Sequence, residues 1–122
     1  LDEGYEFFTG VPDSGLKPFI NEIIENRVEH VTATNEGQAI GIAVGAELAG
    51  KKSCVYLQNS GLGNIINPIT SLCMPHNIRP LLVIGHRHTL PQHKVMGDID
   101  EKILELIGYK PYIIVKGNNN VK

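Results

Sequence analysis

The sequence predicts a doubly wound α/β domain, with a mainly parallel sheet and helices on both of its faces. Apolar runs of strand length alternate with helix-length segments through the whole chain. The strand runs are nearly continuous in apolar residues, as strands covered on both faces require. A chain of 122 residues is also long enough for one such core.

"YEFFTGV" (Tyr5 to Val11) reads as the first strand, stopped by Pro12. "SGLKPFINEIIENR" places Leu16, Phe19, Ile20, Ile23 and Ile24 at the spacing of one helical face, with Asp13 or Ser14 as its cap. "VEHVTA" (Val28 to Ala33) is the second strand, and "NEGQAIGIAVGAELAG" opens the second helix. "KSCVYLQ" (Lys52 to Gln58) follows as the third strand. The glycine-rich turn "NSGLGN" leads into "IINPITSLCMPHN", expected to be helical until Pro75. "RPLLVIGH" is the fourth strand, the polar "RHTLPQHKVMGD" a loop, "IDEKILELIGY" a helix and "KPYIIVKG" the closing strand. We expect one domain over residues 1–116 and a tail or linker over 117–122. "LDEGYEFF" reads as the end of a helix, a Gly turn and a strand. We therefore expect a trimmed domain, a subunit or part of something longer.

Composition narrows the function classes. A net charge of −2 offers no electrostatic case for nucleic acid or an acidic membrane surface. No run approaches a spanning helix, and Cys54 and Cys73 fit no metal or redox spacing. Reduced thiols and a cytoplasmic setting are the expectation.

In doubly wound sheets, function gathers at the carboxyl ends of the strands. Those ends lead into "GVPDS", "TNEGQ", "QNSGLGN" and "GHRHTLPQH". Glu36 has two readings. As a first-turn acid beside a Thr34 or Asn35 cap, it merely complements the helix dipole. As a desolvated carboxyl, it handles protons. Its helix carries Gly37, Gly41 and Gly45 among alanines, which costs helix stability unless a second element approaches the backbone closely. "QNSGLGN" lacks both the P-loop ending and the full dinucleotide fingerprint. It is a tight turn or a loop against a flat ligand, with Asn59 and Asn64 as hydrogen-bonding groups. Asp13 and Ser14 are helix caps or site residues. His86, Arg87, His88 and His93 form a solvated loop or a cationic one for an anionic substrate. No carboxylate or cysteine stands at zinc spacing to the His-x-His pair, so no metal is expected on this chain.

Taken together, "TGVPDS", "NEGQAIGIAVGAELAGKK", "VYLQNSGLGNIINPITSL" and "PQHKVMG" resemble the pyrimidine-binding domain of thiamine diphosphate enzymes. The match is to the phosphonopyruvate and sulfopyruvate decarboxylase group. The resemblance implies the thiamine diphosphate-binding fold and a 2-oxo acid decarboxylase. Glu36 would bond the cofactor's aminopyrimidine and favour the tautomer that takes the thiazolium proton. Val11, Pro12, Asn59, Gly61 and Asn64 would border the cofactor. Asp13 would join Glu36 in catalysis, and Asp13, Ser14 and His93 would face the substrate.

"TGVPDS" and "PQHK" are similar to the phosphonopyruvate enzymes, which release phosphonoacetaldehyde and carbon dioxide. A separate small chain is similar to the sulfopyruvate alpha subunit, and the loop before "PQH" is short for the phosphonopyruvate type. These enzymes hold the diphosphate through Mg²⁺ at a Gly-Asp-Gly on a second domain. No Gly-Asp-Gly occurs here. A diphosphate-binding domain or beta subunit is therefore the expected partner, in a homo- or hetero-oligomer. A non-catalytic anion-binding module and an interaction domain without chemistry are the alternatives.

Overall fold

In the computed structural model, residues 4–116 are described, and their backbone builds a five-stranded sheet in which every neighbouring pair is parallel. The strands are β1 (Phe7–Gly10), β2 (Glu29–Thr32), β3 (Ser53–Gln58), β4 (Leu81–Gly85) and β5 (Tyr112–Val115). Their spatial order is β2-β1-β3-β4-β5. The predicted doubly wound class is borne out. The proposed tail at 117–122 lies outside the described residues.

Helix α1 (Lys17–Glu25) covers one face, behind a short 3₁₀ turn at Ser14–Leu16. Leu16 and Ile23 are fully buried there, beside Phe8, Cys54, Tyr56 and Val83. Such side chains contribute roughly 1.5–3 kcal/mol each relative to exposure. Ile24 falls outside that buried stripe, at 58% exposure.

The other face carries more cover. Helix α2 (Glu36–Leu48) buries Ala39, Ile40, Ala43 and Val44 against the sheet. Its opposite side, with Gln38, Gly41, Gly45 and Leu48, is exposed in this chain, so the helix is not buried all round. Leu104 and Tyr109 extend the same core from helix α4 (Pro91–Ile107) and the turn after it.

Two expectations need correction. The segment expected to be helical until Pro75 is helical over Ile66–Cys73 but not as a regular α-helix. After a 3₁₀ turn (Asn59–Asn64), it runs as a single α-turn, α3 (Ile66–Pro68), and a π-turn (Ile69–Cys73). Pro68 has no N–H to give, and the Thr70 and Ser71 hydroxyls donate to the Ile66 and Asn67 carbonyls at 2.9 and 2.6 Å. These bonds compete with regular helical pairing.

The second correction concerns Pro91 to Asp98, expected as loop, which forms the first half of α4. Pro91 sits at the helix start, where its missing N–H costs nothing. Gly97 reads as a loop residue but serves close packing. A Cβ there would lie 2.5 Å from His88 Cδ2 and 2.7 Å from the Arg87 carbonyl oxygen.

Candidate active site at the carboxyl edge

Because all strands point the same way, the four loops named from the sequence meet along one edge. The strand order reverses between β1 and β3, which makes that crevice the natural ligand position. At Gly10, β1 has no side chain. A Cβ would strike the Tyr56 carbonyl oxygen at 2.1 Å and its ring at 2.7 Å. The Tyr56 ring crosses the space, and its hydroxyl shares a hydrogen bond with His30 Nε2 at 2.5 Å. Burial lowers the His30 pKa and raises that of Tyr56, so a neutral phenol meets a neutral imidazole.

Glu36 stands at the start of α2, half-buried. Asn35 caps the helix by accepting the Gln38 N–H at 2.8 Å, while Gln38 Oε1 accepts from the Thr34 N–H and hydroxyl. The cap duty is thereby discharged by Asn35, leaving the Glu36 carboxyl to reach across the edge. Its Oε1 accepts from Asn64 Nδ2 at 2.8 Å. It lies on Gly61, where a Cβ would come within 2.5 Å of Glu36 Cγ and 2.7 Å of Oε2. Gly61 is glycine because the acid occupies the space of a side chain. The structure brings Glu36, Gly61 and Asn64 together, as grouped from sequence.

Asp13 does not cap α1. It holds the N-cap position of the 3₁₀ turn without a side-chain cap bond. Its Oδ1 instead accepts from Arg87 Nη2 at 3.0 Å, and that same nitrogen donates to Ser14 Oγ. The other oxygen, Oδ2, is buried without a partner. It sits where a Cβ on Gly15 or on Gly85 would lie 3.0 Å away. Two glycines thus make room for one carboxyl. Val11 and Pro12 border the same loop, Val11 half-buried and Pro12 exposed.

Asn59 turns inward. It is fully buried, and its amide donates to the Arg87 carbonyl and to Asp100 Oδ2, both at 3.0 Å. His86 Nδ1 lies 2.6 Å from the same Asp100 oxygen. Asn59 therefore ties the loops after β3 and β4 to α4, rather than presenting its amide to the crevice. His88 and Lys94 bond Asp98 at 2.7 and 3.2 Å and hold its carboxyl below the usual range. His93 falls in the first turn of α4, half-buried, its backbone N–H on the Leu90 carbonyl.

Sequence reasoning missed the pairing of Arg87 with Asp13 and the buried role of Asp100. Arg87 was legible only as loop charge. Asp100 carried a signal: an acid on the same helical stripe as Met96, Ile103 and Leu104.

An acid seated on a glycine, with Asn64 as its donor, thus stands where the strand order reverses. The chain belongs to the thiamine pyrophosphate enzyme family: residues 1–104 match its N-terminal TPP-binding domain. It is a component of a thiamine diphosphate-dependent decarboxylase, as its relatives' names agree. The sulfopyruvate decarboxylase subunit alpha of Methanocaldococcus jannaschii is 42% identical over 118 residues, covering 90% of this chain and 70% of that subunit. That of Methanococcus maripaludis is 39% identical over 113 residues, covering 88% and 67%. The phosphonopyruvate decarboxylase of Streptomyces viridochromogenes is 40% identical over 109 residues, covering 84% of this chain and 28% of the relative.

Proposed function

We propose that residues 1–116 form the pyrimidine-binding domain of a decarboxylase for a three-carbon 2-oxo acid whose tail is a sulfonate or phosphonate. The observation that carries this reading is Glu36, poised at the switch point on Gly61 with one oxygen on Asn64 and no bond to Oε2 among the described residues. Phosphonopyruvate, expected from "TGVPDS" and "PQHK", and sulfopyruvate have equal support in identity, at 40% against 39 and 42%.

Bound thiamine diphosphate supplies the carbon nucleophile and the electron sink for loss of carbon dioxide. Glu36 is the group that exchanges a proton with the pyrimidine ring, and Gly61 and Asn64 set its position. Val11 and Pro12 border the ring. Asn59 keeps the β3 loop in place from behind. Asp13 and Ser14 face the substrate from the β1 loop, and His93 approaches from α4. A partner domain or subunit holds the diphosphate and its Mg²⁺; two of the relatives above are named as subunits alpha. Burial raises the Cys54 and Cys73 thiols to about 12 and about 11. Both cysteines are free, which supports a reducing, cytoplasmic setting.

The test is Glu36→Gln in the assembled enzyme, assayed on both acids. The variant should keep its melting temperature and lose turnover by roughly 100-fold or more, the range of a lost acid–base group. Near-normal turnover rejects the assignment. Binding of a phosphorylated ligand by the wild-type chain, without Mg²⁺ or thiamine diphosphate, would favour the non-catalytic module instead.

A further inference from the structure

We infer that a cavity beside the β1 loop receives the anionic tail of the substrate, with Lys17 as the cation that selects it. This inference rests on the decarboxylase reading above and names the part of the site that separates tailed from plain 2-oxo acids. The cavity measures about 270 Å³ and is lined by Pro12, Asp13, Ser14, Lys17 and Ile20. That is room for a tetrahedral anion and its carbon, at the small end of ligand pockets.

Its electrostatics follow from the Arg87 bridge. An acid in the wall of an anion site should repel the ligand. Here the Asp13 carboxyl is offset by a guanidinium at 3.0 Å, and its second oxygen is buried between Gly15 and Gly85. Ser14 Oγ already accepts the Arg87 N–H. A hydroxyl that accepts keeps its own proton to give, so Ser14 is left as a donor. The Lys17 ammonium forms no hydrogen bond or ion pair among the described residues, the residue's backbone N–H alone being engaged, on the Ser14 carbonyl. The uncompensated charge of the cavity is therefore positive, carried by a compact ammonium suited to a tetrahedral anion.

A second observation is independent of the cavity. Lys17 is the first residue of α1, and no acid stands in that helix's first turn. A cation there adds to the positive end of the helix dipole, which is unfavourable for folding. Of the other helices that start at this edge, α2 has an acid in its first turn, and α4 has none but carries Lys94 there, paired with Asp98. A positive charge kept where the backbone disfavours it, on the wall of a cavity at the active edge, is explained by an anion that arrives during function. His93 is not among the residues lining this cavity.

The experiment uses the assembled enzyme with Lys17→Met and Lys17→Arg. The specificity constant is measured on sulfopyruvate, phosphonopyruvate and pyruvate, which lacks the tail. Lys17→Met should lower the ratio of tailed to plain substrate roughly 10- to 100-fold, the value of one hydrogen bond to a charged group. Lys17→Arg should restore part of it. Loss shared equally by all three acids, or a ratio within twofold of wild type, overturns the inference. Thermal unfolding with sulfoacetate and phosphonoacetate provides a reading independent of turnover. Both should raise the melting temperature of the wild type but not of Lys17→Met; equal shifts in the two proteins also overturn it. The larger wild-type response tells sulfonate from phosphonate. A wild-type enzyme that turns over none of the three acids rejects the decarboxylase reading, while the unfolding shifts still judge the cavity.

Discussion

Two helices begin at the same edge of the sheet, and they begin differently. At α2, Asn35 caps the backbone at 2.8 Å and Glu36 supplies a first-turn acid, all within four residues. Ahead of α1, Asp13 stands in the cap position of the 3₁₀ turn, yet its carboxyl goes to Arg87, 74 residues away in sequence. Both starts carry a good capping residue, so local rules treat them alike. They diverge because Arg87 bonds the β1 loop, while among the described residues no arginine bonds the β2 loop. A charge-assisted bond is roughly twice as strong as a neutral one, and a buried carboxylate needs it more than a helix end does. The β2 loop is held by its own neighbours, the β1 loop by the far side of the sheet.

That contrast can be broken by substitution. The largest effect is expected from Arg87→Met, which leaves a carboxyl that is 7% exposed without its partner. Stability should fall by about 3 kcal/mol, read from urea unfolding, and adding Asp13→Asn should recover part of it. A loss no greater than that of an ordinary cap would erase the distinction between the loops. Next comes Gly61→Ala, which drives a methyl group into Glu36. Turnover of the assembled enzyme should drop about 100-fold through displacement of the acid, with stability affected far less. An unchanged rate would mean the carboxyl is not seated by that glycine.

Asn35→Ala tests the local arm of the comparison and should cost about 1 kcal/mol, with no change at the β1 loop. The smallest effect belongs to His30, beyond either loop. Its folded pKa is lowered below the ordinary 6.5, so its contribution is complete above that pH and is lost as pH falls toward the folded value. The drop in melting temperature between pH 7 and 5 should be shallower in His30→Gln than in the wild type. A parallel pair of curves would show that the Tyr56 contact does not hold the imidazole neutral.

How much of this was legible in the sequence depends on the range of the forces involved. The alternation of strands and helices and the four loops at the strand ends follow from apolar periodicity and chain direction, which are local. Glu36 with Gly61 and Asn64 could be grouped because each follows a strand of one parallel sheet. The Asp13–Arg87 pair could not, since nothing local distinguishes it from a cap and a loop cation. Gly97 misled for a related reason: its absent side chain answers to His88 across a turn, so a tertiary contact read as a loop signal. The π-turn at Ile69–Cys73 depends on hydroxyl-to-carbonyl bonds that periodicity does not register.

The Arg87 side chain reaches from the end of β4 to the loop after β1, and β3 lies between those strands. It therefore acts as a tie-bar spanning the crevice mouth, and the two banks are not free to be altered separately. Residues 13 and 87 form one heritable unit: replacing Arg87 alone strands a buried carboxyl and replacing Asp13 alone frees a cation at the mouth, whereas replacing both together resets the mouth. Collections of related chains should show these two sites switching in step, and designers who wish to admit a different acid would do well to edit them as a pair.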